Sequence, residues 1–564
     1  MKKQLKISRF LPVFFILIMM LACWHSQRLF CQGEYLSPAQ KFSQKILLVP
    51  LDGRPPCKQM VVNAGRIAGL EVITPPQELM DYYSQPADTK GLRQWLKENM
   101  SGSDAVILSI DELMYGGLLT AREKNAQASE VAELVQFLQE LHQAQPQIPI
   151  YGFSILPRMT PQDTIDGYQE RKDLIAYSRL VGKKAAGLEV DDNEINELAA
   201  HIPEKSLQKY LQRFHENEYL NQQLIDLAKS GVLARLVLGQ DDGEIYSIPN
   251  IEKAALQGYI QSQGLSDEQV FLTHGADEIA LTYLAEIALR RTSFRPRIFL
   301  DCNTAWIKEH YMPYMAVSLE ACAREKVRLL GGTLAASAEQ ADCVLFISAN
   351  DHEADTLSSR AASVKKLQVY QRQGIPVAVI DLSEHFLAEE TLLPQLLEAD
   401  FPVNSLAAYA GWNTASNSLG TALSEALLFL NAREHCQTKE DVTALAQSQT
   451  AFLQGRMLED YFYLKTDIDN VNRALHKAGY PNVSDLNLEH NYKYANAMLQ
   501  KGLADHLAAY QALAAVRAPF TITSPVGSFA FQLQNLTIDA SYPWPRTFEI
   551  YLQATPELLS LSQR

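Results

Sequence analysis

Pairs of cysteines are scarce in this chain. It has seven in 564 residues, and no two stand at C-x-x-C spacing. A disulfide scaffold and a cysteine zinc site are therefore not expected, and a chain of this length does not need staples. Lysine and arginine are outnumbered by acids, 50 to 65, which gives a formal net charge of −15. Phosphate backbones are met by clustered cations. With no long basic run and no zinc-finger spacing, nucleic acid is set aside as a partner. Several catalytic signatures are missing too: no G-x-S-x-G elbow, no H-E-x-x-H, no G-x-G-x-x-G and no phosphate-loop lysine. S-x-x-K occurs at Ser206–Lys209 and Ser363–Lys366, in charged helix-like stretches and without the companion motifs of serine acylases. No catalytic thiol is expected. Repeats, low-complexity tracts and long flexible linkers are also lacking.

One apolar run stands apart. Lys2, Lys3, Lys6 and Arg9 precede the stretch 10–23, a basic region followed by a short hydrophobic one. That order describes a secretory signal and is too short for a comfortable membrane span. The run ends Met20-Leu21-Ala22-Cys23, which resembles a bacterial lipobox with an unusual first residue. Lipidation at Cys23 and plain cleavage both remain open, and a lipid anchor there is the only membrane contact expected. The expected location is thus periplasmic or cell-surface, with 24–44 as a polar tether.

From residue 45 the chain alternates between short β-branched runs and amphipathic helical patterns, which predicts an α/β fold. Strands are expected at 45–51, 70–73, 105–110, 149–155, 234–239 and 270–273, with Arg235 blurring the start of the fifth. They form a parallel-sheet or barrel-like N-terminal domain over 45–290. A charged, mostly helical insertion near 162–230 is placed as a lid over the strand ends. A smaller doubly wound α/β domain is expected over 291–435, from strands at 297–300, 343–347, 377–380 and 405–409. The remainder, 436–564, reads as helices over 439–517 and then a β element over 519–553 that closes on Tyr542–Glu549.

The chemistry is expected at strand ends, because ligands of parallel α/β sheets sit beyond the carboxyl ends of the strands. Asp241-Asp242-Gly243 follows one apolar run. Adjacent carboxylates repel, which raises one pKa and separates an acid from a base; a solvated turn or a helix cap is the plain alternative. Asp52-Gly53-Arg54-Pro55-Pro56 follows another, and its prolines hold the backbone out of the helical region. Asp52 and Arg54 there either bind a polar ligand or bridge to each other. Asp111-Glu112-Leu113-Met114-Tyr115-Gly116-Gly117 offers an acid and a stacking ring beside two glycines, or only a capped turn. Arg158 is a substrate clamp or charge compensation. Asp277 and Glu278 follow His274-Gly275-Ala276 and open a helix, where the macrodipole favours them in any case. Trp412, Asn413 and Asn417 supply an indole and amides suited to neutral polyols, or an N-cap and a buried ring. A lone His beside these acids does not suggest zinc, although a hard divalent cation could be held by Asp oxygens.

Taken together, Val49-Pro50-Leu51-Asp52-x-Arg54-Pro55, Ser109-Ile110-Asp111-Glu112-Leu113-Met114-Tyr115-Gly116-Gly117-Leu118, Gln240-Asp241-Asp242, Gly275-Ala276-Asp277-Glu278, Gly411-Trp412-Asn413-Thr414 and Pro543-Trp544-Pro545-Arg546-Thr547-Phe548-Glu549 resemble domain-of-unknown-function family 4127 of bacteria. The resemblance spans roughly 45–553 and implies one evolutionary unit; it implies no activity. His274 departs from the family pattern, where Pro is more typical, which argues against a catalytic role for it.

The function expected from the residues is an exported hydrolase of carbohydrate, a glycosidase using Asp241 and Asp242 as its catalytic pair. Asp242 is the expected general acid and Asp241 its polarising neighbour, with an oligosaccharide or other small molecule as substrate. Substrate contacts are expected from Asp52, Arg54, Asp111, Tyr115, Arg158, Asp277, Glu278, Trp412, Asn413 and Asn417. The alternatives are a metal-dependent hydrolase with Asp52, Asp111, Asp241 and Asp242 around a divalent cation, and a non-catalytic carbohydrate-binding protein.

Overall fold

The computed structural model describes residues 33–35, 43–161, 167–350 and 356–561. The expected signal segment, with Cys23, and nearly all of the expected tether lie outside these residues. No helix among the described residues is long and apolar enough to cross a membrane.

A short strand β1 (Gly33–Tyr35) precedes the first sheet, which contains β2 (Gln44–Val49), β3 (Leu70–Ile73), β4 (Ala105–Ser109), β5 (Ile150–Leu156), β6 (Arg235–Gln240) and β7 (Val270–His274). All six are parallel, in the order β3-β2-β4-β5-β6-β7. Every residue of β4 and β6 is buried, as expected for strands covered by helices on both faces. The sheet is open, so the barrel alternative is set aside. Its winding direction reverses between β2 and β4, which opens a crevice beyond the ends carrying Asp52 and Asp111.

The second sheet contains β8 (Arg297–Cys302), β9 (Thr333–Leu334), β10 (Cys343–Ser348), β11 (Val377–Asp381) and β12 (Ala408–Ala410), in the order β12-β11-β10-β8-β9. It is also all-parallel and doubly wound. The strand expected at 405–409 begins later, because Val403–Ser405 forms a 3-10 turn in which Asn404 donates to the Val516 carbonyl. The third sheet is antiparallel and contains β13 (Phe520–Ser524), β14 (Gly527–Ser541) and β15 (Tyr551–Leu561), with β1 on the outer edge of β15. Tyr542–Glu549 is therefore the connection between β14 and β15. It does not close the β element: Pro543 and Pro545 have no N–H to give a ladder.

Two helices join the parallel sheets. Ile279–Thr292 and Ala415–Glu434 pack against each other and are buried on nearly every face. They start just after β7 and β12, so the carboxyl ends of both sheets face one cleft. The insertion forms helices Tyr168–Ala185, Asp192–His201 and Glu204–Lys229. Its last helix packs on Ile248–Ser262, and Tyr210 donates to the Met159 carbonyl at 2.7 Å.

Candidate functional site

Arg54 is the first organising residue. Pro55 and Pro56 stiffen the loop after β2, and the Arg54 N–H donates to Asp52 Oδ1 at 3.0 Å. The guanidinium then spans three acids. Nη2 lies 2.6 Å from both Asp52 Oδ2 and Asp277 Oδ1, and Nη1 lies 3.5 Å from Glu549 Oε1. The Trp544 ring sits 5.8 Å from the guanidinium carbon. Burial works against the cation, but the charges of Asp277 and Asp52 outweigh it and hold the Arg54 pKa well above its usual value. Asp277 is pushed up by burial, opposed by Arg54 and aided by Asp52 and Asp241, to about 6. Asn417 donates to Asp277 Oδ2 at 3.3 Å. Asp52 and Arg54 bridge to each other, and of the two only Arg54 reaches the wall of the cleft.

Asp241 and Asp242 leave β6 at its carboxyl end and diverge in environment. Asp241 is buried against Arg122, whose Nε and Nη2 reach Asp241 Oδ2 at 3.0 and 2.5 Å. Its Oδ1 accepts the Asp242 N–H at 2.9 Å. Burial alone would raise Asp241, but the charges of Arg122 and Arg158 overcome it and hold the carboxyl below its usual range. Asp242 is partly exposed to the cleft. Burial and then the Asp241 charge push it up to about 7, against the pull of Arg122 and Arg158. Among the described residues no guanidinium is hydrogen-bonded to Asp242. One neighbour is thus a fixed carboxylate and the other holds a proton near neutrality, which is the separation of roles an acid–base pair requires.

The cleft brings together Arg54, Arg158, Asp241, Asp242, Asp277, Asn413 and Asn417 in a polar chamber of about 400 Å³. Asp52 lies behind Arg54. Four more of the expected contact residues stand behind the wall. Asp111 is 2 % exposed, its Oδ2 accepts the Ile155 N–H at 2.9 Å, and burial pushes its carboxyl up to about 7. It sits at the start of the short helix Ile110–Tyr115, where it meets the end of β5 inside the sheet. Tyr115 ends that helix pointing into the core between β4 and its covering helices, so it does not stack on a ligand. Glu278 is fully buried and pairs with Lys326 at 2.5 Å, while Lys326 also donates to Thr273 Oγ1 at 3.1 Å. Gly420 makes room for it: a Cβ there would stand 2.3 Å from Glu278 Cγ. Trp412 is buried beneath Phe548, ring centroids 6.1 Å apart, and the left-handed Asn413 (φ 54°) turns the chain so that Asn413 reaches the chamber in its place.

Several residues of the chamber did not emerge from the sequence. Arg122 follows the Gly116-Gly117 turn by one short helix, with no spacing that marks it. Phe548 and Phe386 supply the aromatic surface, their rings edge to face at 6.2 Å, and Arg546 lies over Phe548 at 5.3 Å. The dense string of Pro, Trp, Arg and Phe at 543–548 was the available signal for that loop. His274 lines the chamber but is held from behind: Glu325 meets its Nδ1 at 2.8 Å and Lys253 its Nε2 at 2.8 Å. A further acid layer lies below. Asp81 Oδ1 accepts the Gly53 N–H at 2.5 Å, and burial, with the charge of Asp52, raises Asp81 to about 8.

A π-helix, Leu458–Asp467, props the Asn413 loop from below. Asp460 accepts the Gly411 N–H at 2.8 Å, and Lys465 donates to the Gly411 carbonyl at 3.1 Å. Both peptide groups flanking Gly411 are thereby fixed. Single π turns often mark functional sites, because the wide turn re-aims side chains that an α-helix would stack.

Two of the acids expected around a divalent cation, Asp52 and Asp241, are already engaged by guanidiniums. Among the described residues, Asp52, Cys57 and Asp277 place ligand atoms within 4.8 Å of one another. Arg54 Nη2 already lies 2.6 Å from both acids, and burial followed by the charges of Asp52 and Asp277 keeps the Cys57 thiol protonated. Asp241 is likewise satisfied by Arg122. A hard cation would have to displace two guanidiniums.

A comparison with curated proteins found no match. The family model described as protein of unknown function (DUF4127) matches residues 46–553, from β2 into β15 and through all three sheets. The chain is a member of the DUF4127 family.

Proposed function

We propose that this protein is a hydrolase of carbohydrate that cleaves a glycosidic bond with Asp242 as proton donor. The observation that carries this reading is the opposite displacement of two adjacent acids, Asp241 below its usual range and Asp242 up to about 7, at a strand end facing the cleft. As the bond from the anomeric carbon to the leaving oxygen breaks, Asp242 gives that oxygen its proton. Asp241 has its oxygens engaged by Arg122 and the Asp242 N–H, so its part is to hold the proton on Asp242. Asp277, ionised above about pH 6 and on the chamber wall, is the second carboxylate; Arg54 and Asn417 orient it and leave each oxygen a lone pair with which it acts on water as base or on the anomeric carbon as nucleophile. Arg158, Arg546, Asn413 and Asn417 offer donors to hydroxyls, and Phe548 offers a flat apolar face.

The test is hydrolysis of a glycan and glycoside panel by the full chain and by Asp242→Asn and Asp277→Asn. The expected loss is about 10²–10⁴-fold in kcat for Asp242→Asn with the fold retained. Cleavage at the parent rate by Asp242→Asn would sink the assignment.

A further inference from the structure

Asp242 faces two cavities. On one side is the polar chamber; on the other is a second chamber of about 590 Å³, and Thr160, Asp242, Tyr314 and Met315 belong to the walls of both. The second chamber has a different chemistry. Met159, Ile175, Met312, Pro313, Tyr311 and Tyr314 line it. Four of its charged or ionisable wall groups pair off, Arg179 Nε with Glu244 at 2.6 Å and His310 with Glu384 at 2.6 Å, and Lys183 stands exposed beside them. Tyr311 and Tyr314 are 45 % and 59 % exposed, unusual for rings flanking an apolar hollow. The loop is built into the acid turn. Tyr314 is held in the left-handed region (φ 65°), its carbonyl accepts the Gly243 N–H at 3.1 Å, and the Asp242 carbonyl accepts the Met159 N–H at 3.3 Å. Backbone strain of this kind persists only where the surroundings enforce it.

Asp242 lines both chambers, so a molecule whose bridging atom meets Asp242 has room on either side of that atom. We infer that the second chamber is the leaving-group subsite, and that the substrates are glycosides whose aglycone is apolar, an aryl or medium-chain alkyl group. This rests on the glycosidase reading for its chemistry but on the chamber alone for its binding. The sugar occupies the arginine- and amide-lined side, the aglycone lies between Tyr311, Tyr314 and Met312, and the scissile oxygen meets Asp242 at the junction. The insertion helix Tyr168–Ala185 supplies Ile175 and Arg179 to this wall, so the insertion borders the leaving group rather than the sugar.

The experiment has two arms. In the first, 4-methylumbelliferone binding to the full chain is measured by equilibrium dialysis, beside a Tyr311→Ala/Tyr314→Ala double variant and a remote control, Tyr494→Ala. Both chamber rings are largely in solvent, so the double variant should fold. Saturable binding is expected, weakened about tenfold or more in the double variant and unchanged in the control. No saturable binding, or equal binding by the double variant, overturns the inference. In the second arm, hexyl and methyl glycosides of glucose, galactose and N-acetylglucosamine are compared. Their leaving alcohols differ little in acidity, so the ratio of kcat/KM reads the subsite. A hexyl preference that shrinks in the double variant is expected, and equal rates for hexyl and methyl overturn the inference even if hydrolysis occurs. Binding without hydrolysis of any glycoside leaves the apolar binding site standing and overturns its leaving-group role together with the glycosidase reading.

Discussion

Asp242→Asn should act with opposite signs on activity and stability, and the stability half needs no substrate. Asp242 is pushed up to about 7 in the folded chain, whereas an Asp in an unfolded chain titrates near ~3.9. Between those values the folded state binds more protons than the unfolded one. Stability therefore falls as pH rises from about 4 to about 7, and the deficit is constant above that window. About three pKa units at ~1.36 kcal/mol each give a ceiling of about 4 kcal/mol. Asp242 faces the cleft, and solvent screening reduces this to about 2 kcal/mol. Asparagine keeps the shape and cannot ionise, so the variant lacks the deficit.

The assay is urea unfolding of both proteins side by side, followed by intrinsic fluorescence, at several pH values from 4.5 to 8. Asp81, Asp111 and Asp277 are raised as well, to about 8, 7 and 6. They are present in both proteins, so the difference between the two curves reads Asp242 together with its coupling to Asp241 and Asp277. The variant should match the parent near pH 4.5 and exceed it by about 2 kcal/mol at pH 8. A difference that is flat with pH, or of the opposite sign, would refute the raised pKa and with it the donor role. A gain in stability joined to a loss of activity is the mark of a group kept for function at a cost to the fold.

Hydrolysis should decline as pH rises through about 7, because the donor must carry its proton. Asp241→Asn removes the negative neighbour and frees the Arg122 charge, so the alkaline limb of the pH–rate profile should move to lower pH by about one unit or more; an unmoved limb refutes the coupling. Lys326→Met leaves Glu278 buried and unpaired, and should cost about 3–5 kcal/mol in denaturant titrations, much of it recovered by adding Glu278→Gln. Burial lowers Lys465 to about 8, and its bond to the Gly411 carbonyl holds the Asn413 loop. Lys465→Met should therefore raise KM about tenfold with little change in unfolding midpoint, and an unchanged KM counts against the π-helix as a support.

Much of the fold was legible because its strands are buried on both faces. Ala105–Ser109, Cys343–Ser348 and Val377–Asp381 are continuous apolar runs with no exposed position to blur them. Arg235, which confused the start of β6, is the instructive exception. It is buried inside the strand and matched by Glu286 at 3.0 Å, a residue on a helix far along the chain. No local pattern announces such a partner. Long-range pairing is also why the two-residue β9 and the β1–β15 pairing could not be foreseen. The Tyr542–Glu549 string contains aromatics suited to a strand, yet its prolines remove two ladder donors and turn it into the loop that presents Phe548 and Arg546 to the chamber.

The site divides along the same line. That acids stand at strand ends follows from the order of residues; which of them is chemically free does not. Asp52 and Asp277 are claimed by Arg54, a partner 223 positions from Asp277 in the chain, and Asp241 is claimed by Arg122, 119 positions away. Asp111 and Glu278 are spent on a backbone N–H and a buried lysine. Spacing shows neither these debts nor the turn that sends Trp412 inward and Asn413 outward. What distinguishes Asp242 is therefore a difference between neighbours that only the folded chain creates: Arg122 grips one carboxylate of the pair, and burial, with that fixed charge, pushes the other up to about 7 at the meeting point of a polar chamber and an apolar one. Most acids of this pocket already have a guanidinium, an amide or a lysine beside them, and Asp242 is the one without such a partner among the described residues, which is the ground on which the proton-donor proposal rests.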